Sequence, residues 1–144
     1  MKKIVLTIIP ILICTIIFTN CKFKVSNKAD IADGIYSGTI NVTYNESDSV
    51  LMSIKEKVTI TLKDGKFICI QDVCCDSFGK YIISNKKIIF EDRSFWSVGF
   101  DWNLILDGEY DYIFDGKKLK ISKGSDYDYY GCDFAYYEYD LTKE

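Results

Sequence analysis

The sequence contains no histidine and only one arginine, Arg93. Histidine is the commonest general base and the commonest metal ligand, so its absence removes most hydrolase and zinc-site interpretations. Clamps for phosphate or carboxylate groups usually use arginine, which is nearly absent here. The remaining candidates for catalysis are scattered carboxylates with no nucleophile and base pair, such as Glu91, Asp92, Asp101 and Asp107. We therefore predict a protein that is not an enzyme and that has no cofactor.

The first 21 residues have the organisation of an export signal. Lys2 and Lys3 form a positively charged start, residues 4–18 form an apolar run, and a polar junction ends at Cys21. The apolar run is shorter than the roughly 20 residues that a membrane-spanning helix needs, and it contains Pro10. This favours a cleaved signal over the alternative, a retained membrane anchor. We expect residues 1–20 to be removed.

These features resemble the signal peptides of bacterial lipoproteins, in which the final cysteine is acylated and becomes the mature N-terminus. The resemblance covers residues 1–21 and implies that Cys21 carries a lipid such as palmitate. It also implies a location in the cell envelope, on the periplasmic or the surface face of the outer membrane. Residues 21–33 would then be a lipidated N-terminus and polar tether. The alternative is ordinary secretion, with Cys21 as a free or disulfide-bonded thiol.

Removal of the signal leaves 124 of the 144 residues, which is enough for a single domain. This part has 16 basic and 21 acidic residues, a net charge near −5. An acidic chain is a poor partner for nucleic acid, so we predict no nucleic-acid binding. We expect a monomer.

Four cysteines remain beyond Cys21, namely Cys69, Cys74, Cys75 and Cys132. An even number of cysteines in an oxidising compartment predicts two disulfides. A bond between the neighbours Cys74 and Cys75 is disfavoured, because adjacent residues must strain to reach disulfide geometry. We expect Cys69 to pair with one of them and Cys132 with the other. A redox or soft-metal role is the alternative, but no histidine or basic residue flanks the pair to lower a thiol pKa.

From residue 34 onward the apolar side chains recur with period two, which predicts β-strands. Residues 36–44 and 50–62 alternate in this way, and only Glu56 interrupts the apolar face of the second run. We expect a β-bulge to turn Glu56 outward, because an unpaired buried charge is costly; the alternative is an interior carboxylate that binds a ligand. Further strands are predicted over residues 67–71, 79–84, 87–91, 100–106, 109–114, 118–122 and 134–141.

Eight or nine short strands, tight turns and the lack of any helical period predict an all-β fold. We expect an antiparallel up-and-down barrel of about eight strands over residues 34–144, since a β-sandwich, the alternative, needs at least one long Greek-key connection. The block FDWNLILDGEYDYIFDGKKLKISK and the final strand YYEYDL resemble the small lipocalin-like lipoproteins of Gram-negative envelopes. This resemblance implies a lipocalin-like barrel.

The irregular segment 93–102 is dense in aromatic residues and is predicted to form a pocket mouth. Its candidate ligand-contact residues are Trp96, Phe100 and Trp102, whereas the strand positions Tyr137 and Tyr139 are expected in the core. Residues 126–138 begin like a calcium-binding loop, but Tyr130 at the fifth position breaks the pattern, so we predict no metal site.

The leading functional hypothesis is a membrane-anchored barrel that binds a small apolar or glycan ligand, or an envelope protein. The alternative is an inhibitor or structural interaction module with a solid core. Sequence alone leaves both open, because an eight-stranded barrel is just wide enough to be filled by side chains or to hold one small ligand.

Overall fold

The computed structural model describes residues 31–46, 49–72, 76–97, 104–125, 132 and 134–144. Each strand pairs antiparallel with the next one along the chain, and the last pairs with the first, so the sheet closes into a barrel of eight strands. The predicted up-and-down barrel is confirmed. Within the same residues, no helix has the length and apolar character needed to cross a bilayer. The strands are β1 (Gly34–Glu46), β2 (Ser49–Lys63), β3 (Lys66–Gln71), β4 (Ser77–Ser84), β5 (Lys87–Asp92), β6 (Gly108–Phe114), β7 (Lys118–Ser125) and β8 (Phe134–Lys143).

Three short turns lie at one end of the barrel, which we call the closed end. Both residues of the 64–65 turn and both of the 85–86 turn have positive φ, between 48° and 72°. This is the type I′ geometry, whose twist matches that of paired strands. In the third turn, Asp115 Oδ1 accepts the backbone N–H groups of Lys117 at 2.9 Å and Lys118 at 2.7 Å. These hydrogen bonds lower the pKa of the Asp115 carboxyl.

Residues 31–33 lie against the closed end before the chain enters β1. Their backbone accepts a hydrogen bond from the hydroxyl of Tyr36. The Asp33 carboxylate accepts the Tyr81 hydroxyl at 3.2 Å and the backbone N–H of Asp64 at 3.1 Å. The chain therefore enters the barrel beside the turn that joins β2 to β3.

Alternate side chains of all eight strands fill the interior. Phe90 packs edge to face on Phe67, with ring centres 5.1 Å apart, and on Tyr110 at 5.8 Å. Tyr110 packs in the same way on Tyr139, at 6.1 Å. Tyr137 and Tyr139 are buried, as the alternation predicts. The largest fully buried side chains are Tyr36, Tyr44, Tyr110, Tyr137, Tyr139, Phe67, Phe90, Ile40, Ile60, Leu62, Ile88 and Leu106.

Glycine is required where two pairs of strands approach most closely. A Cβ atom at Gly38 would lie 1.9 Å from the backbone oxygen of Asp140, across the seam between β1 and β8. A Cβ atom at Gly79 would lie 2.0 Å from the backbone oxygen of Glu91, between β4 and β5. Neither distance is compatible with a side chain, so both glycines set the spacing of their strands.

The expectation that a β-bulge turns Glu56 outward is wrong. The pairing of β1 with β2 runs in continuous register from Gly34 to Tyr44, and its irregularity falls between Tyr44 and Asn45. Glu56 lies opposite the buried Ile40 and faces the interior. The bulge sits next to the loop end of the hairpin instead, where it leaves the alternation at position 56 intact.

The strand predicted over residues 100–106 is also wrong in its described part. Residues 104–106 form a buried turn that leads into β6 rather than a paired strand. A short apolar run predicts burial but cannot by itself distinguish a strand from another buried segment.

Candidate functional site

The end of the barrel opposite the closed end, which we call the mouth, carries the connections at residues 47–48, 72–76, 93–107 and 126–133. The cysteine pair, the aromatic segment and the tyrosine-rich loop are therefore all attached to one end. This follows from the up-and-down topology, in which every second connection returns to the same side. The predicted ligand-contact residues Phe100 and Trp102 lie outside the described residues, as does Cys21.

A hydrogen-bond network holds the start of the 93–107 connection at the mouth. The Asp92 carboxylate accepts the Ser94 hydroxyl at 2.8 Å and the indole N–H of Trp96. The backbone N–H of Asp92 donates to Asp107 Oδ1 at 2.8 Å, and the backbone N–H of Phe78 donates to Ser94 Oγ at 2.9 Å. Trp96, the one described member of the predicted aromatic set, is thus positioned at the mouth.

The end of the same connection folds back into the barrel. Residues 104–106 are buried, and the backbone oxygen of Leu104 accepts the side-chain N–H of Gln71 at 3.2 Å. The Tyr110 hydroxyl donates to the backbone oxygen of Ile105 at 3.5 Å. This segment covers part of the mouth from the β6 side.

Three inward-facing polar side chains lie directly below the mouth on adjacent strands. Gln71 of β3 is paired with Val58, which is the next inward position to Glu56 on β2. Ser77 of β4 is paired with Cys69, the next inward position to Gln71 on β3. The side chains of Glu56, Gln71 and Ser77 therefore form one continuous set, which we call the polar layer.

The polar layer has buried atoms whose hydrogen-bonding capacity is not used. Gln71 is 6% exposed and Ser77 is 2% exposed. Glu56 Oε2 and Gln71 Oε1 are buried without a hydrogen-bond partner among the described residues, and the buried Ser77 hydroxyl has only the weakly hydrogen-bonding Cys69 thiol beside it. Each such atom costs about 1–3 kcal/mol when nothing replaces the water it has lost. Native proteins normally satisfy buried polar atoms with protein, ordered water or a ligand.

A lysine faces the interior from β7, which is four strands away from β3 in the barrel. Lys123 Nζ donates to the backbone oxygen of Asp107 at 2.7 Å. It also lies 4.5 Å from the ring centre of Tyr110 and 5.4 Å from that of Tyr137. Burial lowers the pKa of Lys123. The upper interior thus presents a carboxylate on one wall and an amine on another, which suits a ligand that forms hydrogen bonds.

The described cysteines lie in the core. Cys69 and Cys132 are buried, and no disulfide joins residues that the structure describes. Their predicted partners Cys74 and Cys75 lie outside those residues, so the pairing stays a prediction. Burial raises the pKa of the Cys69 thiol to about 11, which makes it a poor nucleophile. In the described ranges, no group of three His, Cys, Asp or Glu side chains is arranged to hold a metal ion.

We compared the chain with models of protein families, with curated proteins and with solved structures. None of them matches. The lipoprotein and lipocalin-like resemblances of the sequence stay predictions, and the interpretation of the mouth depends on its own geometry.

The sequence pointed to part of this site and missed the rest. The aromatic segment was found through its irregularity, and Glu56 through the break that it makes in an apolar face. Gln71 and Ser77 were missed, because each lies at a strand end beside the cysteine loop and has the composition of a loop residue. The usable signal was their spacing. Gln71 follows Cys69 by two residues on β3, and Ser77 precedes Gly79 by two residues on β4, so both lie at inward positions.

Proposed function

We propose that the protein is a lipid-anchored, non-enzymatic binding protein of the bacterial cell envelope, and that the barrel mouth binds a small polar ligand such as a short glycan. The observation that carries this proposal is the polar layer, in which two buried acceptor oxygens, Glu56 Oε2 and Gln71 Oε1, have no partner among the described residues. Hydroxyl or amide groups of a ligand would satisfy these atoms, whereas a hydrocarbon chain would leave them unpaired.

The aromatic residues of the mouth support a glycan rather than another polar molecule. Phe95 is fully exposed, and the neighbouring Trp96 is held by the Asp92 network. Flat aromatic faces can stack on the apolar faces of sugar rings, while polar groups fix orientation.

The lower interior argues against a long apolar ligand. Phe67, Phe90 and Tyr139 lie below the polar layer. Edge-to-face contacts join Phe67 to Phe90, Phe90 to Tyr110 and Tyr110 to Tyr139. An acyl chain inserted along the barrel axis would have to displace these side chains. We therefore expect a ligand that enters no deeper than the polar layer.

The ligand proposal is tested by native mass spectrometry of protein purified from its own envelope, followed by titration of the ligand identified. Gln71→Leu should weaken binding by at least about tenfold, since an unmet hydrogen bond costs about 1–3 kcal/mol. Trp96→Ala should also weaken binding, because the aromatic face that stacks on the sugar is lost. Glu138→Gln, on the outer face of β8, is the matched control and should bind normally. A bound fatty acid, or unchanged affinity in Gln71→Leu, would contradict the proposal.

The anchor is tested separately by labelling cells with radioactive palmitate. Wild type should incorporate label, whereas Cys21→Ser should not. Label that survives in Cys21→Ser would refute acylation at this residue.

The second candidate function is an inhibitor or structural interaction module. It is favoured by the lower interior, which large aromatic side chains fill. An absence of any co-purifying ligand, combined with ordered water alone at Glu56, Gln71 and Ser77 in a crystal structure, would select this candidate over the first.

A further inference from the structure

We propose that the outer face of β2, β3 and β4 docks onto a bilayer surface that contains anionic phospholipid. We call it the basic apolar face. Its exposed apolar members are Ile68, Ile70, Phe78 and Ile82, and its basic members are Lys55, Lys57, Lys63, Lys66 and Lys80.

The apolar members are neighbours on the sheet surface. Ile68 lies directly opposite Phe78 in the pairing of β3 with β4, and the two are 50% and 53% exposed. Ile70 is the next outward position on β3 and is 49% exposed; Ile82 lies further along β4 and is 61% exposed. Clustered exposed apolar side chains of this kind usually mark an interaction surface, whereas single ones do not.

The lysines give this face a net positive charge. Glu91 on β5 lies opposite Lys80 in the strand register, but its carboxylate is paired with Arg93 at 2.7 Å. Outward positions of β2, β3 and β4 carry five lysines and no acidic residue. Among the described residues, none of the five forms an ion pair, and Lys66 lies opposite Lys80 in the register. The face is thus basic although the whole chain is acidic.

A shallow concavity of about 350 Å³ lies at the closed end of this face. Lys63, Asp64 and Lys66 lie beside the exposed apolar side chain of Ile68 in its wall, so two lysines face one carboxylate there. A phospholipid surface presents the matching combination, because phosphate groups lie directly above acyl chains.

The charge pattern selects a bilayer over two other occupants. The preceding residues 22–30 contain Lys22, Lys24 and Lys28, so they have the same charge as the face. A second copy offers four acidic residues on β6 and β8, and all of them except Asp140 are already paired within the barrel. Glu109 and Asp111 contact Lys87 at 3.4 and 3.0 Å, and Glu138 contacts Lys120 at 2.9 Å.

The entry point of the chain places the same face towards the membrane. Asp33 is hydrogen-bonded to the turn between β2 and β3, so a tether from Cys21 reaches the barrel at the edge of the basic apolar face. This orientation step rests on the proposed lipid anchor. The charge and the apolar cluster do not depend on it.

The test uses the fragment 31–144, which holds every strand pair of the closed barrel and its core and lacks the acylation site. Its sedimentation is measured with vesicles of equimolar phosphatidylglycerol and phosphatidylcholine, and with pure phosphatidylcholine. A lysine near an anionic surface contributes about 1 kcal/mol, so Lys66→Gln/Lys80→Gln should lower partitioning into the anionic vesicles about 30-fold. Phe78→Thr should lower it as well.

The matched controls are on the opposite side of the barrel. Lys118→Gln/Lys120→Gln on β7 removes the same charge, and Ile113→Thr on β6 removes an apolar residue that is 72% exposed, against 53% for Phe78. Thermal melting confirms that each variant is folded. The proposal is overturned if the controls lose as much partitioning as the face variants, or if wild type does not prefer anionic vesicles. It is also overturned if wild type dimerises without lipid and Lys66→Gln/Lys80→Gln does not, because the occupant is then a second copy. The vesicle test with fragment 31–144 and the palmitate-labelling test are independent. A negative vesicle result therefore leaves the anchor and mouth proposals standing.

Discussion

Replacement of Glu56 by methionine should stabilise the ligand-free barrel. Methionine has nearly the volume of glutamate but no polar oxygen, so the substitution leaves the packing against Ile40 similar and removes the unpaired Oε2 atom. An unsatisfied buried acceptor costs about 1–3 kcal/mol. Glu56 is only partly buried as a whole, so its other oxygen retains some solvent, and we expect the lower part of that range, about 1–2 kcal/mol.

This change is measurable by urea unfolding at neutral pH, followed by far-ultraviolet circular dichroism. With a slope of about 1–3 kcal/mol per molar urea, the midpoint should rise by roughly 0.5–1 M. Glu109→Met, on the outer face of β6, removes an exposed carboxylate as the matched control and should leave the midpoint almost unchanged. The same Glu56→Met protein should bind its ligand more weakly, since stability gained at a binding site often costs function.

A loss of stability in Glu56→Met would refute the reasoning. It would show that the carboxylate already has a favourable partner in the unliganded protein. The polar layer would then be a satisfied part of the core, and the argument for a polar ligand at the mouth would lose its main support.

Three further predictions concern the barrel itself. In the reduced protein, the pKa of the Cys69 thiol rises from 9.0 to about 11 on folding, so the unfolded chain releases this proton first as the pH increases. Stability should fall between about pH 9 and pH 11 by up to about 2.7 kcal/mol, and urea titrations of Cys69→Ala should lack this component. Gly38→Ala should lower the free energy of unfolding by about 3 kcal/mol or more, because the new Cβ atom meets the backbone oxygen of Asp140. The control Thr39→Ala should have a small effect. A folded Gly38→Ala protein with a normal melting temperature would contradict the seam geometry. Lys86→Gly should raise the melting temperature and increase the free energy of unfolding by about 1 kcal/mol, because Lys86 has a φ of 65° that glycine adopts without strain. A decrease would show that the lysine side chain makes a stabilising contact.

The barrel was predictable because alternation and turn signals are local properties. Asn85 and Lys86, for example, lie between two alternating runs at a spacing that fits only a tight hairpin. Residues 104–106 were not predictable as a turn, because a short apolar run indicates burial without indicating a partner strand.

The polar layer was less accessible to sequence reasoning. The cost of burying a charge argued for turning Glu56 outward, but the continuous register of β1 with β2 outweighed that cost. Gln71 and Ser77 lie far from Glu56 in sequence, and only the closed register brings the three together. A site of single residues on separate strands leaves no motif.

The seam between β1 and β8 also determines when the protein can fold. Tyr36 pairs with Lys143 and Asn45 with Phe134, so the first strand is joined to the last. Such long-range pairing is slow, since most of the chain must be ordered before it forms. The β1 edge therefore stays open until the final ten residues have been made. A chain with this topology cannot close its barrel until the whole of it, including β8, is available for pairing.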